Sequence, residues 1–117
     1  MILAIVVPKV GRSMRAAQIH RLIAQPGAAL RPGSPLLELR VDLEETSARD
    51  CPAVIYFRLI AAERAYLRTL HVAPGDLIEI VAPLGVATST LEEDAAGPAT
   101  RVLRCSSVAI PVDPFSA

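Results

Sequence analysis

Leu22-Ile23-Ala24-Gln25-Pro26-Gly27, followed by Pro35-Leu36, returns later in the chain as Leu70-His71-Val72-Ala73-Pro74-Gly75, followed by Pro83-Leu84. Pro26 and Pro74 are 48 residues apart, and so are Pro35 and Pro83. Each copy reads as an apolar strand, a Pro-Gly turn, a short connection and a proline that opens another apolar strand. Pro and Gly supply the backbone angles of tight turns, and Pro is tolerated at a strand's first residue. Two copies of one such unit predict an all-β fold, a flattened barrel or sandwich of two small sheets related by a pseudo-twofold axis around one core.

Working outward, Leu37, Leu39, Val41 and Leu43 alternate with Glu38, Arg40 and Asp42, the period of a strand with one face inward. A polar stretch from Glu44 to Asp50 separates this strand from Ala53-Val54-Ile55-Tyr56-Phe57, which is rich in strand formers, so a long central hairpin is expected between the two copies. The segment Ile60 to Leu70 has high helix propensity on its own. The repeat aligns Leu67 to Leu70 with Ile19 to Leu22, and that correspondence assigns it to a strand.

The chain has 117 residues, enough for one core plus a tail. Apolar residues make up 52% and aromatics 3%, so the core is built from aliphatic side chains, as closely packed strands require. Twelve basic residues balance twelve acidic ones without a like-charge run, which leaves no footprint for nucleic acid or an anionic membrane. The apolar opening Met1 to Val7 lacks a basic flank and is stopped by Pro8 and Lys9, too short for a span or a signal peptide. A soluble, cytoplasmic protein is expected. Cys51 and Cys105 show no CxxC or Cys/His spacing, so reduced thiols are expected and neither a disulfide framework nor a zinc site.

Val7-Pro8-Lys9-Val10-Gly11-Arg12-Ser13-Met14, then Ile19, Pro26-Gly27 and Gly33-Ser34-Pro35-Leu36-Leu37-Glu38, resembles the lipoyl domains of 2-oxo acid dehydrogenase acyltransferases. Tyr66 to Asp76 with its continuation to Pro83-Leu84 resembles them too, and the likeness covers roughly residues 2 to 87. The resemblance implies the biotinyl/lipoyl hammerhead fold. It also implies a cofactor lysine in an Asp-Lys-Ala turn at the hairpin tip, but the matching residues are Asp42-Leu43-Glu44, and Leu43 has no nucleophile to form the amide. Lys9, the only lysine, belongs to the opening motif and reads as a surface charge. The central hairpin also looks longer than the family's by about a dozen residues, judged from its strand and turn signals. No cofactor is therefore expected.

The chain divides into a lipoyl-like domain at 1–87, a linker at 88–100 marked by Glu92-Glu93-Asp94 and Gly97-Pro98, and a tail at 101–117. The apolar pieces of the tail are too short to fold alone and would add a strand to this sheet or dock on a partner. Candidate interaction residues on the hairpin are Arg49, Asp50, Cys51 and Tyr56. Cys51 would be reactive only in an electropositive setting, which Arg49 alone could supply. His20 and His71 have no Asp or Cys at ligand or triad spacing, and no catalytic or metal site is expected. The expectation is an unlipoylated, non-enzymatic interaction module that binds protein partners of a larger metabolic assembly and is able to pair with a second copy. The alternative is an acyl carrier of a multienzyme complex modified at an unexpected residue. A small enzyme ranks third because no nucleophile, base and orienting group converge.

Overall fold

The computed structural model describes residues 1–7, 16–43, 53–79 and 82–110, with 16, 42, 43 and 53 described in their backbone alone. The regular structure among the described residues is all strand. In chain order these are β1 (Ile2–Val6), β2 (Ala16–Leu22), β3 (Ala29–Leu30), β4 (Pro35–Leu43), β5 (Ala53–Ala61), β6 (Ala65–Leu70), β7 (Leu77–Glu79), β8 (Pro83–Thr88), β9 (Arg101–Val102) and β10 (Cys105–Ile110). The helix-prone stretch after Ile60 is strand on both sides of a short corner. Leu67 is fully buried opposite Ala87, and a strand is the form that points Ala65 and Leu67 together into the core.

Two sheets form, with orders β3-β6-β8-β1-β9 and β10-β5-β4-β2-β7. Exchanging β1 with β5, β2 with β6, β3 with β7, β4 with β8 and β9 with β10 turns the first order into the second read backwards. The sandwich is therefore two quasi-twofold-related sheets, and each half, β1–β4 or β5–β8, places two of its strands in each sheet. Individual hydrogen bonds obey the same 48-residue shift. The Gly27 amide donates to the Leu67 carbonyl and the Gly75 amide to the Ile19 carbonyl, both at 2.7 Å. Gly27 and Gly75 have φ of +93° and +95°, a region open to glycine, which is why each unit needs Gly after its proline. Even the bulges correspond, between Ile19 and Arg21 in one half and between Leu67 and Thr69 in the other.

Between the sheets lies one aliphatic core, including Leu3, Ile5, Ile19, Leu39, Leu59 and Leu67. The central hairpin is β4 with β5, paired from Pro35–Ile60 to Leu43–Ala53. β4 has nine residues against six in its counterpart β8, which gives it a length of about 30 Å at roughly 3.3 Å per residue.

The described part of the stretch read as a tail, residues 101–110, lies on both sheets. β9 joins β1 in parallel, β10 runs antiparallel along β5 from Cys105–Ala61 to Ile110–Tyr56, and Leu103 between them is buried in the core. Residues 101–110 thus add strands to the chain's own sheets. The stretch read as a linker crosses one end of the first sheet, where Arg68 donates to the Leu91 and Glu93 carbonyls and the Thr100 amide donates to the Ile2 carbonyl.

Candidate functional site

The outer face of the hairpin sheet concentrates the polar side chains. Because Leu37, Leu39 and Val41 face the core, Glu38 and Arg40 face outward, and ladder register sets Arg58 beside Glu38 and Tyr56 beside Arg40. Glu38 is clamped from both neighbouring strands. Arg58 donates to its Oε2 at 2.8 and 3.1 Å, and Arg21 donates to the same oxygen at 3.0 Å. Burial alone would raise the Glu38 pKa, but the Arg58 hydrogen bonds and the two guanidinium charges outweigh it and hold the carboxyl below its ordinary value. Next to this row, His20 meets Tyr56 edge to face, with ring centroids 4.7 Å apart. Val108 of β10 continues the row beyond Arg58 and is half-exposed.

On the other sheet the quasi-twofold places Thr69, Val86 and Ala4 where Arg21, Glu38 and Arg58 stand here. One outer face is thus uncharged across its middle and the other carries a fixed ionic row. An ionic row flanked by an aromatic pair can recognise a partner through charge, stacking and main-chain pairing at the β10 edge.

A second polar group secures the tail. Glu63, at the corner between β5 and β6, accepts two hydrogen bonds from Arg101, each 2.6 Å, and one from the Arg104 amide at 2.7 Å. The Arg101 hydrogen bonds, with the Arg104 amide and both positive charges, hold the Glu63 pKa at about 2 against the burial that opposes them. A carboxyl whose folded pKa is depressed contributes stability above its ordinary pKa and loses it as pH falls toward the folded value. Acid titration is expected to loosen the tail from below about pH 4.5 down to about pH 2, with the Arg101 and Arg104 amide signals responding before the core. Glu63→Gln should remove that acid step and lower stability at pH 7; an unchanged acid profile would show that the clamp contributes nothing.

The sequence-derived candidates divide. Tyr56 belongs to the polar face, and the Asp42 and Leu43 backbones pair with Val54 and Ala53 near the end of the described hairpin. Arg49, Asp50, Cys51 and Lys9 lie outside the described residues. His20 and His71 are 51 residues apart in sequence and on different sheets, with His20 in the aromatic pair and His71 at an exposed strand end. Cys105 is half-buried, and its thiol is pushed up to about 11 by burial and by the Glu63 charge, so it is protonated and unreactive at neutral pH. Among the described residues no three His, Cys, Asp or Glu side chains gather as metal ligands, and no helix is long and apolar enough to cross a membrane.

No family model, curated protein or solved structure matches the chain. The case for a function therefore rests on these residues. Reading the sequence did not find the Arg21–Glu38–Arg58 row. Its signal was present in part, since Glu38 occupies an outward position of an alternating strand. Which arginines flank it depends on ladder register across three strands, and the bulge after Ile19 shifts that register.

Proposed function

We propose that this chain is an unlipoylated lipoyl-like interaction module, non-enzymatic and without a cofactor, that contributes binding surface to a larger metabolic assembly of the cytoplasm. The observation that carries the reading is the hairpin sheet itself. Its outer face holds the Arg21–Glu38–Arg58 row and the His20–Tyr56 pair, which join β2 to the long β4–β5 hairpin whose far end is where the resemblance to lipoyl domains puts the functional tip. The chain has Leu43 where that resemblance puts the acceptor lysine, and Lys9 is its only lysine. A scaffold that keeps the hairpin and lacks the acceptor retains the means to dock and not the means to carry.

The edge strand β10 supports the same reading. Its six residues, Cys105-Ser106-Ser107-Val108-Ala109-Ile110, contain no charge and no proline, the features that keep strand edges from pairing. A partner strand, from another protein or from a second copy, fits that edge through main-chain hydrogen bonds.

The test is affinity capture of the tagged chain from its native cells, with bound proteins identified and the bait weighed intact. An unmodified bait with a stable partner is expected, and the double variant Tyr56→Glu with Val108→Glu is expected to weaken that partner at least tenfold while the melting temperature stays unchanged. A bait carrying a covalent increment would replace this reading with the acyl-carrier one. Undiminished capture by the double variant would remove the hairpin sheet from the interface.

A further inference from the structure

Arg31 and Arg64 stand opposite each other at the edge of the first sheet. β3 pairs with β6 through Ala29–Tyr66 and Leu30–Ala65, and the next step in that register is Arg31 against Arg64. Like charges directly opposite on a sheet repel. Neither guanidinium has a carboxylate or hydrogen-bond partner among the described residues.

The acidic neighbours are engaged elsewhere. Glu63, adjacent to Arg64, has both oxygens occupied by Arg101 and the Arg104 amide. Glu93 receives the Ser89 hydroxyl and the Met1 amine. Arg31 is also held in place, because a turn with Pro32 and the positive-φ Gly33 closes through Ser34, whose amide donates to the Arg31 carbonyl at 2.9 Å and whose hydroxyl accepts from the Arg31 amide at 2.9 Å. The two arginines share a half-open pocket of about 300 Å³ with Tyr66 and Ser89, a size suited to a small ligand. The Tyr66 hydroxyl makes no hydrogen bond among the described residues. The quasi-twofold equivalents of Arg31 and Arg64 are Glu79 and Ala16, which pair with each other across β7 and β2, so the double cation is built at one of the two related positions.

We infer that the pocket between Arg31 and Arg64 binds the phosphate group of a small phosphate monoester. Two guanidiniums match the two negative charges of that group, each presents a fork that fits its oxygens, and Tyr66 adds a neutral donor. A carboxylate would neutralise only one of the two charges and leave a net positive charge in the pocket. The remaining volume takes the organic part of the ester.

The experiment is amide-resolved NMR titration of the intact chain at constant ionic strength, with phenyl phosphate, inorganic phosphate, acetate and sodium chloride as separate probes. Phenyl phosphate is expected to shift the Ala29, Leu30, Ala65 and Tyr66 amides saturably, binding at least as tightly as inorganic phosphate and at least tenfold more tightly than acetate. Arg31→Gln and Arg64→Gln should each weaken it at least tenfold. Without ligand, either substitution should leave the melting temperature unchanged or raise it, because it removes the repulsion. Shifts matched by sodium chloride, acetate binding equal to phosphate, phosphate binding tighter without the phenyl group, retained binding in the variants, or a lower unliganded melting temperature in Arg64→Gln would each overturn the assignment. None of these readings depends on the hairpin sheet, so the proposed interaction role stands or falls separately.

Discussion

Gly85→Ala is expected to cost at least about 3 kcal/mol of stability, at the upper end for overpacking a well-filled site. Gly85 lies in β8 with Ile5 on one side and Leu70 on the other. A Cβ built on it would lie 2.2 Å from the Thr69 carbonyl oxygen and 3.1 Å from the Leu70 Cα. Both are backbone atoms, so relief requires β6 and β8 to separate, and no side-chain rotation suffices. Gly97→Ala is the matched control, since the nearest atom is the movable Ile2 Cδ1 at 3.3 Å, and a change within about 0.5 kcal/mol is expected there. Urea unfolding of the two variants beside the native chain measures both. A Gly85→Ala loss below about 1 kcal/mol would mean that β6 and β8 are less closely joined than the structure has them.

Truncation after Thr100 is expected to be the other large effect, a loss of at least about 4 kcal/mol, a large share of the roughly 5–15 kcal/mol that holds a domain folded. Leu103 is 2% exposed, and emptying such a site alone costs about 2–5 kcal/mol. The truncation also opens the β5 edge along six residue pairs and removes Arg101 and the Arg104 amide from Glu63. Thermal unfolding should show a melting temperature lower by more than about 10 °C, or no cooperative transition. A truncated chain with native stability would show that residues 101–110 are an accessory to the fold. The consequence for function is direct. Loss of partner binding on deleting the tail would report unfolding as readily as a lost contact, so surface substitutions such as Val108→Glu are the discriminating variants.

How legible the molecule was follows from the kind of signal each part carries. The 48-residue repeat was readable because its landmarks, Pro-Gly and the later Pro-Leu, are tied to backbone angles that a strand-turn-strand unit demands locally. β1 and β5 escaped that comparison. Their ladder partners place Leu3 opposite Ala87 and Phe57 opposite Leu39, a shift of 54 residues, because residues 7–15 join β1 to β2 whereas residues 62–64 join β5 to β6. A repeat search at one fixed offset does not bridge unequal loops. Tyr56 was read as an interaction residue from its place on the hairpin, but its partner His20 belongs to a strand paired with β4, on the far side from β5.

By itself the sequence determined that the fold is all-β, that it is built twice over around one aliphatic core, and that a long hairpin joins the halves. Periodicity and turn chemistry are local properties, and they survive in a one-dimensional reading. Only the tertiary structure decided that residues 101–110 complete both sheets, that Glu38 sits between Arg21 and Arg58, and that the β3–β6 register sets Arg31 against Arg64 with neither paired to a carboxylate among the described residues. Those facts depend on register between strands distant in the chain and on which acids are already engaged. Ladder hydrogen bonding and charge pairing settle such matters after folding brings the strands together.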